Sequence, residues 1–286
     1  MNSISSHKSS NLSGDLIVPG DKSISHRSLI IGSLVNGRIE INNLLESEDV
    51  IATANALRIL GVQINKLNNK WEVFGSGIGN FYGSNYTLNM GNSGTGARLL
   101  MGLIAGSDIE ATFIGDESLS KRPMKRITSP LKKTGATIGN QTNNLPIKIK
   151  GNKIVLPIEY ESSVPSAQVK SSILLAGLSS LGKTTVIEPT LSRDHTERML
   201  NFFGANITTT QLDNMSWKIT LEGVPDLKPL NLNIPADPSS ASFPIVSAII
   251  TPNSNIKVLN VCVNELRIGL FKTLIEMGAN IQFSNK

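Results

Sequence analysis

One phrase, a short helix-prone run that ends in glycine and continues into a β-prone stretch, recurs along the 286 residues. It reads Ala54-Asn55-Ala56-Leu57-Arg58-Ile59-Leu60-Gly61-Val62, Pro130-Leu131-Lys132-Lys133-Thr134-Gly135-Ala136, Met199-Leu200-Asn201-Phe202-Phe203-Gly204-Ala205 and Leu274-Ile275-Glu276-Met277-Gly278-Ala279. The glycines stand 74, 69 and 74 residues apart, each where a helix uses a left-handed residue before handing over to a strand. A second phrase, a Ser/Gly-rich turn opening a helix of small residues, begins near Ser23, Ser93, Ser166 and Ser239, at intervals of 70, 73 and 73. Two independent markers with one period argue against a solenoid of short repeats. They predict about four copies of a unit with two helices and intervening strands. The fold class is therefore α/β (α+β), made by duplication, with strands at Leu16-Ile17-Val18, Arg38-Ile39-Glu40-Ile41, Thr112-Phe113-Ile114, Thr185-Val186-Ile187 and Lys257-Val258-Leu259.

Composition narrows the function classes. The longest apolar stretches, such as Ser171 to Leu181, are interrupted by Ser and Gly and fall short of the roughly 18 apolar residues a membrane span needs, so no membrane segment is expected. Met1 to Ser13 is polar and Ser-rich, without a signal core or an Arg-rich amphipathic pattern, which makes the cytoplasm the expected location. A lone cysteine, Cys262, excludes an internal disulfide framework and a Cys-rich zinc site. His7, His26 and His195 lack zinc-site spacing, so neither metal nor cofactor is expected. The net charge of +5 suits an anionic partner. Nucleic acid is disfavoured by the 5% aromatic content and by the absence of any run of five basic residues.

Five helix entrances could hold anions. Pro19-Gly20-Asp21-Lys22-Ser23-Ile24-Ser25-His26-Arg27 follows a strand and opens a helix, and Ser23 and Arg27, four apart, share a face. An ammonium, a hydroxyl, a guanidinium and free N–H groups there suit a phosphate, although a capped surface helix explains the local pattern too. Gly91-Asn92-Ser93-Gly94-Thr95-Gly96-Ala97-Arg98 precedes an apolar helix from Leu99 to Ala105, with Asn92 or Ser93 as cap and glycines that let a ligand approach the backbone. In Glu117-Ser118-Leu119-Ser120-Lys121-Arg122-Pro123, Pro123 fits the first helical position and Arg122 stands at the helix mouth, able to clamp a carboxylate or phosphate or to lie in a solvated basic loop. Val164-Pro165-Ser166-Ala167-Gln168-Val169-Lys170-Ser171 and Leu191-Ser192-Arg193-Asp194-His195-Thr196-Glu197-Arg198 read locally as capped helix starts.

Gly177-Leu178-Ser179-Ser180-Leu181-Gly182-Lys183-Thr184 matches the phosphate-loop pattern letter for letter. Its context is reversed, with a helix expected before it and a strand after, so the helix N-terminus that would hold a phosphate is missing. It is expected to be a helix stop and a turn.

Taken together, the entrances resemble the 5-enolpyruvylshikimate-3-phosphate synthases from Gly14 to Ile281. Gly20-Asp21-Lys22-Ser23-Ile24-Ser25-His26-Arg27 is similar to that family's shikimate-phosphate signature. The resemblance implies that Lys22, Ser23 and Arg27 hold 3-phosphoshikimate, and that Lys22 also reaches phosphoenolpyruvate and serves in catalysis. It further implies that Asn92 and Gly94 line the phosphoenolpyruvate pocket, that Arg122 clamps this substrate, and that Ser166, Ala167 and Gln168 bind the shikimate phosphate. By the same resemblance Gln168 is expected to face the second substrate as well, and Arg193 to contact 3-phosphoshikimate. Leu119-Ser120-Lys121-Arg122-Pro123-Met124 and Arg193-Asp194-His195-Thr196-Glu197 resemble the bacterial branch that includes glyphosate-tolerant members.

The implied fold is two similar domains of three βαβαββ-type units each. Six units at the observed period need roughly 430 residues, and about four are present. By this analogy residues 19–234 form a complete domain, while 1–18 and 235–286 form one unit of the other, and the family's Asp and Glu proton-transfer residues lie beyond Lys286. The implied reaction moves the enolpyruvyl group of phosphoenolpyruvate to the 5-hydroxyl of 3-phosphoshikimate, in a monomer without nucleic-acid or membrane partners. This chain assayed alone is expected to turn over weakly or not at all. The sister enzyme that acts on a UDP-sugar uses a cysteine in the loop before its clamp arginine, and Asp116 to Lys121 has none. A nonenzymatic nucleic-acid-binding module is the rival from another class.

Overall fold

The computed structural model describes residues 5, 7–68, 70–139 and 143–284. Residues 1–4 and 6 of the Ser-rich start, and 285–286 of the expected partial domain, lie outside the described residues. The chain divides into two compact units, Lys22–Asn233 and Met1–Asp21 with Ile234–Lys286.

In chain order β1 (Ser13–Leu16) belongs to the smaller unit, and the larger begins with α1 (Lys22–Gly32), β2 (Asn36–Asn42), α2 (Glu48–Ile59), β3 (Gln63–Leu67) and β4 (Lys70–Ser76). A second set follows: β5 (Tyr82–Asn89), α3 (Gly94–Ala105), β6 (Asp108–Ile114), α4 (Glu117–Ser120), α5 (Lys125–Lys133), β7 (Thr137–Gly139) and β8 (Ile147–Lys150). The third holds β9 (Glu159–Glu161), α6 (Ala167–Gly177), β10 (Lys183–Glu188), α7 (His195–Phe202), β11 (Ile207–Gln211) and β12 (Trp217–Glu222), and β13 (Leu232–Asn233) ends the unit. The smaller unit resumes with α8 (Pro238–Ile250), β14 (Asn255–Val258) and α9 (Gly269–Glu276).

The sheets of the larger unit share one design. In β5-β6-β8-β7 and β9-β10-β12-β11 the first pair is parallel and the other two pairs are antiparallel, which is the βαβαββ order. The first set has no leading strand of its own, and β13 fills the place from the far end of the unit. It pairs parallel with β2 through Leu232↔Ile41 and Asn233↔Asn42. The smaller unit repeats the device, with β1 pairing parallel to β14 from Ser13↔Asn255 to Leu16↔Val258.

The repeated glycines follow the last helix of each set, α2, α5, α7 and α9. Gly61, Gly135, Gly204 and Gly278 have φ of +93°, +97°, +100° and +96°, a region costly for any side chain. Three of them complete a two-bond C-terminal cap, shown by Gly61 N–H to Arg58 O and Val62 N–H to Leu57 O at 2.9 and 3.0 Å, and matched at Gly204 and Gly278.

The first helices of the sets, α1, α3 and α6, form the core of the larger unit. In α3 every residue but Thr95 and Arg98 is buried, as an all-round apolar helix requires. Glycines let α3 press its backbone against α6. A β-carbon on Gly102 would overlap the Ser172 carbonyl, and one on Gly106 would lie 2.8 Å from the Ala176 oxygen.

Three local expectations shift. The first strand is Ser13–Leu16, because Val18 leaves it for the smaller unit's core of Ala236, Ala241, Ile268 and Phe271. The helix expected from Leu99 starts at Gly94, because the Ser93 hydroxyl accepts the Gly96 N–H at 3.2 Å and so caps it five residues earlier. Pro123 is not the first helical residue: α5 starts at Lys125 after an N-cap at Met124, and the Pro123 carbonyl is occupied by Arg98 Nη2 at 3.4 Å. The phosphate-loop look-alike runs from the last residue of α6 into β10, and Gly177 lies close against Thr184 there.

In the smaller unit Arg267 pairs with Asp21 at 3.1 Å and Asp237 at 3.0 Å, and burial pushes the Cys262 thiol up. Among the described residues no helix is long and apolar enough to cross a membrane. No group of three or more His, Cys, Asp or Glu among them could hold a metal ion.

Candidate functional site

The first turns of the three core helices are tied to one another by polar side chains. Gln168, in the first turn of α6, donates to Thr95 Oγ1 of α3 at 3.0 Å and accepts from Arg98 Nη1 at 2.8 Å. Three residues further along α6, Arg27 of α1 donates from Nη2 to Ser171 Oγ at 2.8 Å and from Nε to Thr196 Oγ1 of α7 at 2.7 Å. Arg27 also donates from Nη1 to Ser23 Oγ at 2.7 Å, so the expected shared face of Ser23 and Arg27 is present. Arg27 is 2% exposed, and its guanidinium sits among hydroxyls and the Ser23 carbonyl. Ser171 Oγ donates to the Ala167 carbonyl at 2.5 Å and meets Thr196 Oγ1 at 2.6 Å, so Ser23, which accepts from Arg27, is the hydroxyl placed to pass a hydrogen bond on to an anion.

Lys22 opens α1 with a half-exposed side chain, and Nζ lies 3.2 Å from Asp49 Oδ2 at the start of α2. His26 faces inward. Burial, helped by the Arg27 charge, lowers its pKa to about 3, and Nδ1 sits 2.8 Å from Thr53 Oγ1. It is a neutral packing residue at working pH.

Arg122 is held from the α3 side. Its Nη2 donates to Asn92 Oδ1 and, at 3.2 Å, to Ser118 Oγ, while Asn92 Nδ2 donates to Asp116 Oδ2 at 2.7 Å. Asp116 caps α4 by accepting the Leu119 N–H at 2.7 Å, and that bond more than any other keeps its carboxyl below the usual range. Gly94 lies between two guanidiniums: a β-carbon there would be 3.0 Å from Arg122 Nη1 and 3.3 Å from Arg98 Nη1.

Ser166 caps α6 by accepting the Val169 N–H at 3.4 Å, and its own N–H donates to Glu188 Oε1 at 2.9 Å. Ala167 is the first residue of that helix. Arg193 is half-buried in the loop before α7. Lys22, Arg27, Arg98 and Arg122 thus stand at or near helix N-termini, where the backbone also presents positive potential. Such an arrangement binds carboxylates and phosphates, and backbone N–H groups can take their share.

Four neighbours were not foreseen as site groups. Arg98 falls four residues after Gly94 and so returns to the same face, a spacing that could have marked it. Burial, with the charges of Arg122 and Arg126, lowers its pKa, and its acceptors Gln168 Oε1 and Pro123 O are neutral. Ser171 and Thr196 meet Arg27 across 144 and 169 residues, and Glu188 meets Ser166 across 22, distances at which no local pattern operates.

Residues 6–286 match the family described as EPSP synthase (3-phosphoshikimate 1-carboxyvinyltransferase). The chain is 50% identical over 286 residues to the 3-phosphoshikimate 1-carboxyvinyltransferase of Parvibaculum lavamentivorans, covering 99% of this chain and 63% of that protein. With the protein of the same description from Rhodospirillum rubrum the identity is 50% over 281 residues, covering 96% and 62%. Among solved structures, the EPSP synthase from Acinetobacter baumannii is similar at a TM-score of 0.87 and 41% identity, covering 96% of this chain and 62% of that one. The chain therefore spans a little under two thirds of the length of these relatives.

Proposed function

The chain belongs to the EPSP synthase family, and we propose that it supplies substrate-holding residues for transfer of the enolpyruvyl group of phosphoenolpyruvate to the 5-hydroxyl of 3-phosphoshikimate. The hydroxyl oxygen attacks C2 of phosphoenolpyruvate while C3 gains a proton, giving a tetrahedral intermediate. Loss of phosphate from C2 and of a proton from C3 restores the double bond in the product. Charge on the carboxylate and the departing phosphate dominates this chemistry, so preorganised cations and N–H groups are the protein's main contribution.

Ser23, Arg27, Ser166, Ala167 and Arg193 hold 3-phosphoshikimate in this reading, with Gln168 between the two substrates. Asn92, Gly94 and Arg122 hold phosphoenolpyruvate. Lys22, half-exposed at the mouth of α1, steadies charge and moves a proton. The observation that carries the reading is Gly94, at the start of α3, with the Arg122 and Arg98 guanidiniums beside it and Asn92 fixing Arg122. A small carboxylate lying over Gly94 meets two cations and the start of a helix. The segment from Asp116 to Lys121, which holds α4, carries no cysteine, which supports a shikimate acceptor over a UDP-sugar. We place the protein in the cytoplasm, as its lone Cys262 suits a reducing compartment.

Calorimetric titration tests the assignment. The chain should take up 3-phosphoshikimate and leave UDP-N-acetylglucosamine unbound. Uptake of the UDP-sugar alone would reverse it.

A further inference from the structure

Next to the α6 entrance lies a buried ionic trio for which the reaction above has no use. Glu188 closes β10 with no exposure, Lys170 stands in the second turn of α6 with none, and Glu197 of α7 is 6% exposed. Lys170 Nζ lies 2.9 Å from Glu188 Oε2 and 2.7 Å from Glu197 Oε1. Apolar side chains of similar volume would often stabilise a fold as well as such a group, so its polar connections call for another reason.

Those connections are directed at two residues of the proposed site. Glu188 Oε1 accepts the Ser166 N–H at 2.9 Å, and both oxygens accept the Ser192 hydroxyl at 2.8 Å. Glu188 Oε2 also accepts the Ser192 N–H at 3.2 Å, and Lys170 Nζ donates to the Ser192 carbonyl at 3.2 Å. The peptide group joining Ser192 to Arg193 is thereby fixed to the same carboxylate–ammonium pair as the cap of α6. Resting on the reading that Ser166 and Arg193 contact 3-phosphoshikimate, we propose that Glu188 is a positioning residue. It sets the separation between the α6 cap and the Arg193 loop, and so the fit to the phosphorylated acceptor.

Charge balance favours this role. A lone buried carboxylate beside Ser166 would repel a phosphate, and Lys170 cancels it. Burial pushes the Glu197 carboxyl up, against the pull of Lys170, which moves the trio towards neutrality.

The test compares two ligands that differ by the phosphate. 3-Phosphoshikimate and shikimate are titrated calorimetrically into the chain and into its Glu188→Gln variant, at a temperature where melting curves show both folded. The substitution keeps the shape and one acceptor but turns an amide donor towards groups that themselves donate. We expect the 3-phosphoshikimate Kd to rise by about tenfold or more, as when an outer partner of a ligand-holding group is removed. The shikimate Kd should move by less than about twofold, since a factor of two is under 0.5 kcal/mol. General loosening would scale both ligands together, so a folded variant with an unchanged affinity ratio overturns the inference. An unmodified chain that does not prefer 3-phosphoshikimate to shikimate overturns instead the reading of the site. Should Glu188→Gln fail to fold, Ser192→Ala, which removes only the hydroxyl from Glu188, is judged by the same ratio.

Discussion

A β-carbon added to Gly94 would lie 3.0 Å from Arg122 Nη1, which makes the absence of a side chain at this one position part of how the guanidinium is placed. Contacts at that distance are tighter than ordinary packing, and Arg98 Nη1 would also be close, at 3.3 Å. Gly94→Ala should therefore shift Arg122 by a few tenths of an ångström. In the full-length enzyme glyphosate and phosphoenolpyruvate should both bind more weakly, with the glyphosate inhibition constant rising about tenfold or more. Because the displaced atoms are the ends of flexible side chains, the melting temperature should scarcely change. Equal inhibition constants for the two proteins would reject the prediction.

Gly102 presents the opposite case, since its added methyl would meet the Ser172 backbone of α6 rather than a side-chain tip. Gly102→Ala should cost about 2–3 kcal/mol of stability through overpacking, read from denaturant midpoints. A shift within error would mean that α3 and α6 are not packed this closely.

Arg27 donates from Nε to Thr196 Oγ1 at 2.7 Å inside the protein. Thr196→Val keeps the shape and leaves that buried donor unsatisfied, at a cost of about 1–3 kcal/mol. Chemical denaturation of the two proteins decides it, and an isoenergetic Thr196→Val would show that the donor reaches another acceptor.

His26 should make stability depend on pH. Its folded pKa of about 3 lies below the ordinary 6.5, so between those values the unfolded chain binds the proton that the folded chain refuses. The contribution is complete above pH 6.5 and is lost as pH falls towards 3, at about 1.4 kcal/mol per unit. In His26→Asn this slope should vanish, so the stability difference between the wild type and the variant should change with pH across that window. A constant difference would refute the assignment.

How far the sequence discloses this structure depends on the range of the interaction. Gly61, Gly135, Gly204 and Gly278 could be picked out because a left-handed helix end is a local requirement that only a few residue types meet, and all four have positive φ. The entrances at Ser23, Ser93 and Ser166 show for the same reason. By contrast β13, two residues long, completes the sheet of β2 from 191 residues away at Leu232↔Ile41, and no local signal distinguishes Leu232 from loop. Lys170 and Glu188 likewise look like an ordinary surface charge and a strand end until the fold buries them together. Pro123 misled because proline suits a first helical turn without compelling one, and α5 starts two residues later at Lys125 after an N-cap at Met124.

The amino ends of α1 and α6 should together receive one phosphorylated guest. Crystals grown with 3-phosphoshikimate measure it most directly. Density for the ligand is expected in contact with Lys22, Ser23 and Arg27, its phosphate within hydrogen-bonding distance of the Ser166 hydroxyl. Ligand density that touches none of these four side chains would contradict it.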